Sequence, residues 1–263
     1  MKLNYFDLLS PEPVYIQNAG GILSPKLKDI ARIGINTYQY YLAVLLMDLK
    51  TFFTVNGQEK HFEALSEEEK ARINIFDLLT MDNDSTALLQ NALNFFIEED
   101  IVYSAAHNGF LINKNIPDEK INQTADKYTF TGIITKESYP LICDLISQRN
   151  YIKSDRPEDL SKIKSKKASE IMKKLQKGRE KKSNRSKADK NLELGNIISA
   201  VANKSQSLNI INIWELTIYQ LWDCFSRLSN NSIYDIEAMS VAAWGNKDNY
   251  FDAAAWFKRL DTV

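Results

Sequence analysis

Cysteine and histidine are scarce, with two of each in 263 residues. Cys143 and Cys224 both fall in apolar helical patterns with no Cys or His near them, which excludes a disulfide framework and a zinc site built on ligand spacing. Nine Gly and six Pro exclude collagen-like and Pro-rich low-complexity chains. The longest strongly apolar run, Tyr40 to Leu49, contains Asp48 and is too short to span a bilayer, so no membrane partner is expected. Lys2-Leu3-Asn4-Tyr5-Phe6-Asp7 lacks a basic stretch followed by a continuous apolar one, and no secretory signal is expected from it. Together these absences point to the reducing environment of a cytoplasm. P-loop, GxSxG, HExxH and Rossmann patterns are also missing. The expectation is a protein that is not an enzyme and needs no cofactor or metal.

What the chain does have is apolar bulk and an uneven charge. Apolar residues make up 44% and aromatics 11%, enough to bury a core. The net charge of −1 conceals three segments. Residues 1–160 carry 15 basic and 23 acidic groups, residues 161–190 carry 13 and three, and residues 191–263 carry five and eight. A segment of net +10 therefore separates two acidic stretches. From Gly178 to Lys190 it has no apolar residue larger than Ala, which is the composition of a linker. Before that, Ala168, Ile171, Met172 and Leu175 follow i, i+3, i+4, i+7 spacing, a narrow apolar stripe on a basic helix.

Periodicity predicts a mainly α fold with one or two small β-hairpins, arranged as two helical bodies joined by the basic linker. The expected division is an acidic N-terminal domain over 1–151, a basic helix and linker over 152–191, and a compact helical domain over 192–263. Hairpins are expected near 13–23, around Asn18-Ala19-Gly20-Gly21, and near 101–112, around Asn108-Gly109. Residues 114–134 read as loop or short strand. Ser24-Pro25 reads as a helix start. Further helices are expected from about Asn36 to Val55, from the Ser66-x-x-Glu69 capping box to Met81, over Thr86–Glu99, Ser138–Gln148 and Leu192–Ala202, over Ile213–Leu228 behind Asn212, and over Ile233–Trp244 and Asp252–Leu260.

Few residues carry chemistry. Asp82-x-Asp84 resembles the start of a calcium loop, but Thr86, Ala87 and Leu93 stand where an EF-hand needs an oxygen ligand, Gly and a bidentate acid. It reads as a helix break. His61 and His107 have no partner at metal-ligand spacing, and a Cys–His dyad would require an exposed, activated thiol where both cysteines look buried. Glu67, Glu68, Glu69 and Glu98-Glu99 complement helix ends. Trp214, Tyr219, Trp222, Phe225, Trp244, Trp256 and Phe257 are expected mainly as core, with a partner-binding hot spot as the alternative. The strongest candidate for partner binding is the basic segment, through Ile171, Met172 and Leu175 with Lys173, Lys174, Lys177, Arg179, Lys181 and Lys182. It can be a solvated linker, a protein-docking helix or a contact for nucleic-acid phosphate.

Tyr5-Phe6-Asp7-Leu8-Leu9, Pro13-Val14-Tyr15-Ile16, Leu23-Ser24-Pro25-Lys26-Leu27-Lys28-Asp29-Ile30 and Tyr38-Gln39-Tyr40-Tyr41-Leu42 resemble the opening of a phage protein. The stretch from Asn212-Ile213-Trp214-Glu215 to Trp222-Asp223, with Ala242-Ala243-Trp244-Gly245, is similar to C-terminal segments of tail-region proteins from phages and prophages of low-GC Gram-positive bacteria. Together, about the first 50 and last 60 residues resemble the tail assembly chaperones. That resemblance implies a mostly helical, acidic, non-enzymatic protein of the host cytoplasm that holds the tape-measure protein while the tail tube polymerises. The alternatives are a nucleic-acid-binding protein using the arm 161–190 and a structural component of the virion.

Overall fold

The computed structural model describes residues 1–115, 128–152, 190–246 and 251–259. Among them are eleven α-helices and two antiparallel sheets, of two and three strands. The chain is mainly α with minor β. It divides into two compact units: one comprises 1–152 and Trp214–Trp222, and the other comprises, among the described residues, 190–213 and 223–259.

The first unit opens with α1 (Tyr5–Leu9), capped by Asn4, whose side chain accepts from the Asp7 amide. A hairpin follows, β1 (Val14–Ile16) against β2 (Gly20–Ile22), with Val14 opposite Ile22. Asn18 at φ +61° and Gly20 at φ +80° supply the left-handed turn that Asn and Gly tolerate. Ser24-Pro25 does not open a helix. The Ser24 hydroxyl is buried and donates to the Arg149 carbonyl at 2.8 Å, the Pro25 carbonyl accepts from the Ile218 amide at 2.9 Å, and α2 (Leu27–Ile33) begins beyond them.

The long helix expected over 36–55 is two, α3 (Ile35–Leu45) and α4 (Leu49–Val55). Asp48 restarts the chain, its carboxylate accepting from the Thr51 amide at 2.7 Å, because a side-chain cap satisfies an orphan donor that no upstream carbonyl reaches. The stretch 66–81 divides in the same way. After α5 (Glu59–Ala64), the Ser66–Glu69 capping box opens α6 (Glu67–Arg72) as the sequence predicts, and Asn74 then caps α7 (Ile75–Leu79). Next, α8 (Asn83–Phe96) starts three residues earlier than expected, because Asp82 is its cap, its carboxylate 2.8 Å from the Ser85 amide. Leu89, Ala92, Leu93 and Phe96 on one face of α8 are fully buried.

The second sheet has the order β3 (Asp100–Ser104), β4 (Gly109–Asn115), β5 (Tyr128–Ile134). Its first connection is longer than a two-residue turn: a 3₁₀ turn at Ala105–His107 precedes Asn108, which lies at φ 44°. Strand β5 pairs with β4 from Phe110 to Asn115 with a register shift after Ile112, more strand than the sequence indicated. Ile101, Phe110, Ile112 and Ile134 are buried with Ile142, Leu145 and Ile146 of α9 (Tyr139–Arg149). Phe76 sits edge-on to Phe110 with centroids 5.8 Å apart.

The end of α9 ties the N-terminal segment down. Gln148 accepts from the Leu3 amide and donates to the Met1 carbonyl. The fully buried Arg149 donates to the carbonyls of Asp7, Ser10 and Glu12, and burial pushes its guanidinium down to about 10, still protonated at neutral pH. Tyr151 takes φ +60°, an uncommon conformation for a large side chain. Its ring packs against Tyr219 and stacks on Trp222.

In the second unit, α10 (Leu194–Lys204) buries Ile197, Ile198 and Val201. The two helices expected over 213–228 and 233–244 are one, α11 (Ile218–Trp244), with only a 3₁₀ turn at Ile213–Glu215 before it; its residues 218–222 belong to the first unit and 223–244 to the second. Asn230-Asn231-Ser232 reads as a break in sequence, yet the Ser232 hydroxyl donates back to the Leu228 carbonyl at 2.7 Å and the Asn230 amide to the Ala255 carbonyl at 3.0 Å. Polar side chains with such partners need not interrupt a helix. Gly245, at φ +80°, ends α11 with its amide on the Val241 carbonyl. Where a helix was expected over 252–260, the described residues hold a single 3₁₀ turn, Ala255–Phe257.

A candidate protein-docking surface

The start of α11 is fixed by Thr217 and Gln220. The Thr217 hydroxyl accepts from the Gln220 amide at 3.2 Å, while the Gln220 side-chain Oε1 accepts from the Thr217 amide at 2.9 Å, a reciprocal capping box. Asn212, the expected cap, instead accepts from the Asn209 amide at 2.7 Å. From there an apolar repeat runs the length of the helix. Ile218, Tyr219 and Leu221 are buried, and Phe225 and Leu228 are half-buried, lining a shallow cleft with Ala200, Val201 and Lys204 of α10.

In its last turns the repeat continues, but among the described residues its cover does not. Ile233 is 58% exposed, Ile236 64%, Met239 65% and Trp244 78%, and Ala242 and Ala243 are exposed among them. At 100° per residue, Ile233, Ile236, Ala243 and Trp244 lie within one sector with Met239 at its margin. A different side of the helix carries the segment 251–259: Arg227 donates to the Lys258 carbonyl at 3.0 Å, Tyr234 packs on Phe251 with centroids 5.4 Å apart, and Asn230 reaches Ala255. Asp235 and Glu237 border the apolar sector, and no Lys or Arg occurs from Leu228 to Asn246.

Fully burying each of these Ile and Met side chains is worth about 1.5–3 kcal/mol. A contiguous face that forgoes that gain is the signature of a binding surface. The aromatic residues expected as core therefore divide. Tyr219 is buried and Trp214, Trp222 and Phe225 are half-buried, whereas Trp244, Trp256 and Phe257 are exposed. The i, i+3 spacing at 233, 236 and 239 was readable in sequence, but spacing does not say whether a neighbour covers it.

The other candidates have ordinary structural roles. The Asp82 carboxylate is held below the usual range by the Ser85 amide it caps. His61 lies against Phe53, and His107 Nδ1 is 2.9 Å from the Ser104 hydroxyl. Cys143 and Cys224 are half-buried and not joined in a disulfide. Burial, with Asp223 beside it, pushes the Cys224 thiol up, the reverse of what a nucleophile needs. Glu98 accepts from the Tyr15 hydroxyl and Glu99 from the Gly21 amide. Among the described residues no group of three or more His, Cys, Asp or Glu could hold a metal ion, and no helix is long and apolar enough to cross a membrane. Ile171, Met172, Lys173, Lys174, Leu175, Lys177, Arg179, Lys181 and Lys182 lie outside the described residues.

Among curated proteins and solved structures, none matches the chain. Residues 182–261, under a third of the chain, match the family model described as YomV second domain. That is a phage/prophage-type family (SPbeta prophage), and the matched stretch contains the whole uncovered face of α11.

Proposed function

We propose that the chain is a phage protein that acts without catalysis, through protein–protein contacts, as an assembly adaptor of the tail assembly chaperone kind. The observation that carries this reading is the uncovered apolar face over Ile233–Trp244, which falls inside the stretch similar to a phage-type domain. A tape-measure protein, which the resemblance above implies is held by such chaperones, or a tail-tube protein is the partner this reading names. The test is deletion of the gene from a phage that carries it, with particles viewed by electron microscopy. Heads without tails are expected, together with a tape-measure protein that is soluble only when co-expressed with this chain. Normal tails in the deletion would overturn the reading.

A second reading rests on the net +10 of residues 161–190: contact with nucleic-acid phosphate. Replacing Lys173, Lys174, Lys177, Arg179, Lys181 and Lys182 with Gln would then weaken DNA binding regardless of base sequence. It would also flatten the salt dependence by about 0.9 in log–log slope per lost contact. Negligible DNA binding by the unmodified chain at physiological salt removes this reading.

A further inference from the structure

We infer that the last three turns of α11 dock a basic amphipathic helix of a partner protein, an inference that rests on the adaptor reading and names the chemistry of its partner. The face runs from Ile233 to Trp244, about 16 Å at the α-helical rise per residue. Its apolar positions recur at i, i+3, i+6 and i+10, starting from Ile233. A second helix laid along such a stripe offers its own i, i+3, i+4, i+7 side chains as the complementary ridge.

Charge selects the occupant. Asp235 and Glu237 border the stripe on its two sides, at about 200° and 40° around the helix from Ile233, and no cation lies between Leu228 and Asn246. A second copy docked through this same face would set these carboxylates against their own kind, and anionic lipid or nucleic acid would be repelled from the face in the same way. A helix flanked by Lys or Arg places cations on both acidic borders while its apolar ridge covers Ile236 and Met239.

The test uses the full chain and three fluorescent 18-residue peptides, read by anisotropy. One is a Leu/Lys amphipathic helix, one has the same composition with the stripe scrambled, and one has Glu in place of Lys. The amphipathic Lys peptide is expected to bind at least tenfold more tightly than either control. Ile236→Gln with Met239→Gln, which keeps helix-favouring side chains at exposed positions, is expected to cost at least tenfold, or 1.4 kcal/mol, with unchanged helicity and melting temperature. Asp235→Asn with Glu237→Gln is expected to weaken binding several-fold and flatten its salt dependence. Equal binding of the scrambled peptide, or binding by both double variants like that of the unmodified chain, would overturn the inference. Tail-less particles in the gene deletion alongside that result would leave the adaptor reading standing. Specific peptide binding alongside normal tails would retain the inference and remove the reading.

Discussion

The two ends of α11 carry the same apolar repeat and meet opposite fates. At the N-terminal end Ile218, Tyr219 and Leu221 are buried, and the backbone is stitched in by the Leu27 amide on the Leu216 carbonyl and the Ile218 amide on the Pro25 carbonyl, each at 2.9 Å. At the C-terminal end Ile233, Ile236 and Met239 are exposed. The apolar period continues through both halves, so the difference lies in what the other described residues supply as cover. Apolar spacing thus records a face that gains from burial, and a neighbour within the chain or outside it must provide that burial.

The largest expected effect breaks the comparison directly. Leu221→Ala should destabilise the chain by about 2–5 kcal/mol, because it removes contacts in a closed core and leaves a cavity. Ile236→Ala should change stability by no more than about 0.5 kcal/mol, as exposed substitutions do. Chemical denaturation of both variants measures the difference. Equal losses would mean that the C-terminal half is covered in solution and is not an available surface.

The sequence made this helix legible in part, and the same limits apply elsewhere. The Ser66–Glu69 box, the turn at Asn18 and the apolar face of α8 follow from local chemistry, and the structure contains all three. The breaks at Asp48 and Asn74 were missed because the apolar period runs through them, while the decision is made by one capping side chain. The reverse error occurred at Asn230-Asn231-Ser232, where polar residues expected to break a helix bond to Leu228 and Ala255 instead. The span of β5 depended on pairing with β4, a non-local contact that no short window contains. For the docking face, the spacing was visible and the exposure was not. Helical spacing of the aromatic residues favours core over a partner-binding hot spot, yet Trp244, Trp256 and Phe257 face solvent.

An intermediate effect sharpens where α11 begins. Thr217→Val keeps the buried volume but removes the hydroxyl that accepts from the Gln220 amide, and should cost about 1 kcal/mol, the ordinary value of an N-cap. Thr217→Ser should restore most of it. Asn212→Ala should stay within about 0.5 kcal/mol, since its side chain serves the 209–212 turn rather than the helix. Melting temperatures of the three variants rank them. A larger loss for Asn212→Ala than for Thr217→Val would move the start of the helix back to where the sequence alone placed it.

The smallest expected effect concerns the charge that sits just before this anchored end. Glu215 accepts from Lys28 at 2.8 Å and from Lys26 at 3.3 Å, and these two cations hold its carboxyl below its ordinary value of 4.5. A carboxyl that is more acidic folded than unfolded binds protons less readily in the folded state, so its contribution is present in full above pH 4.5 and is lost as pH falls through the lower folded value. The group is exposed to solvent, so the effect is small and screened by salt. Glu215→Gln should therefore be slightly less stable than the unmodified chain at pH 7 in low salt. The gap should close as pH is lowered below 4.5, and at pH 7 it should also close in about 1 M sodium chloride. Urea denaturation across that pH range checks it. A gap that persists at the acid end, or widens there, would show that Glu215 holds the start of α11 through something other than its charge.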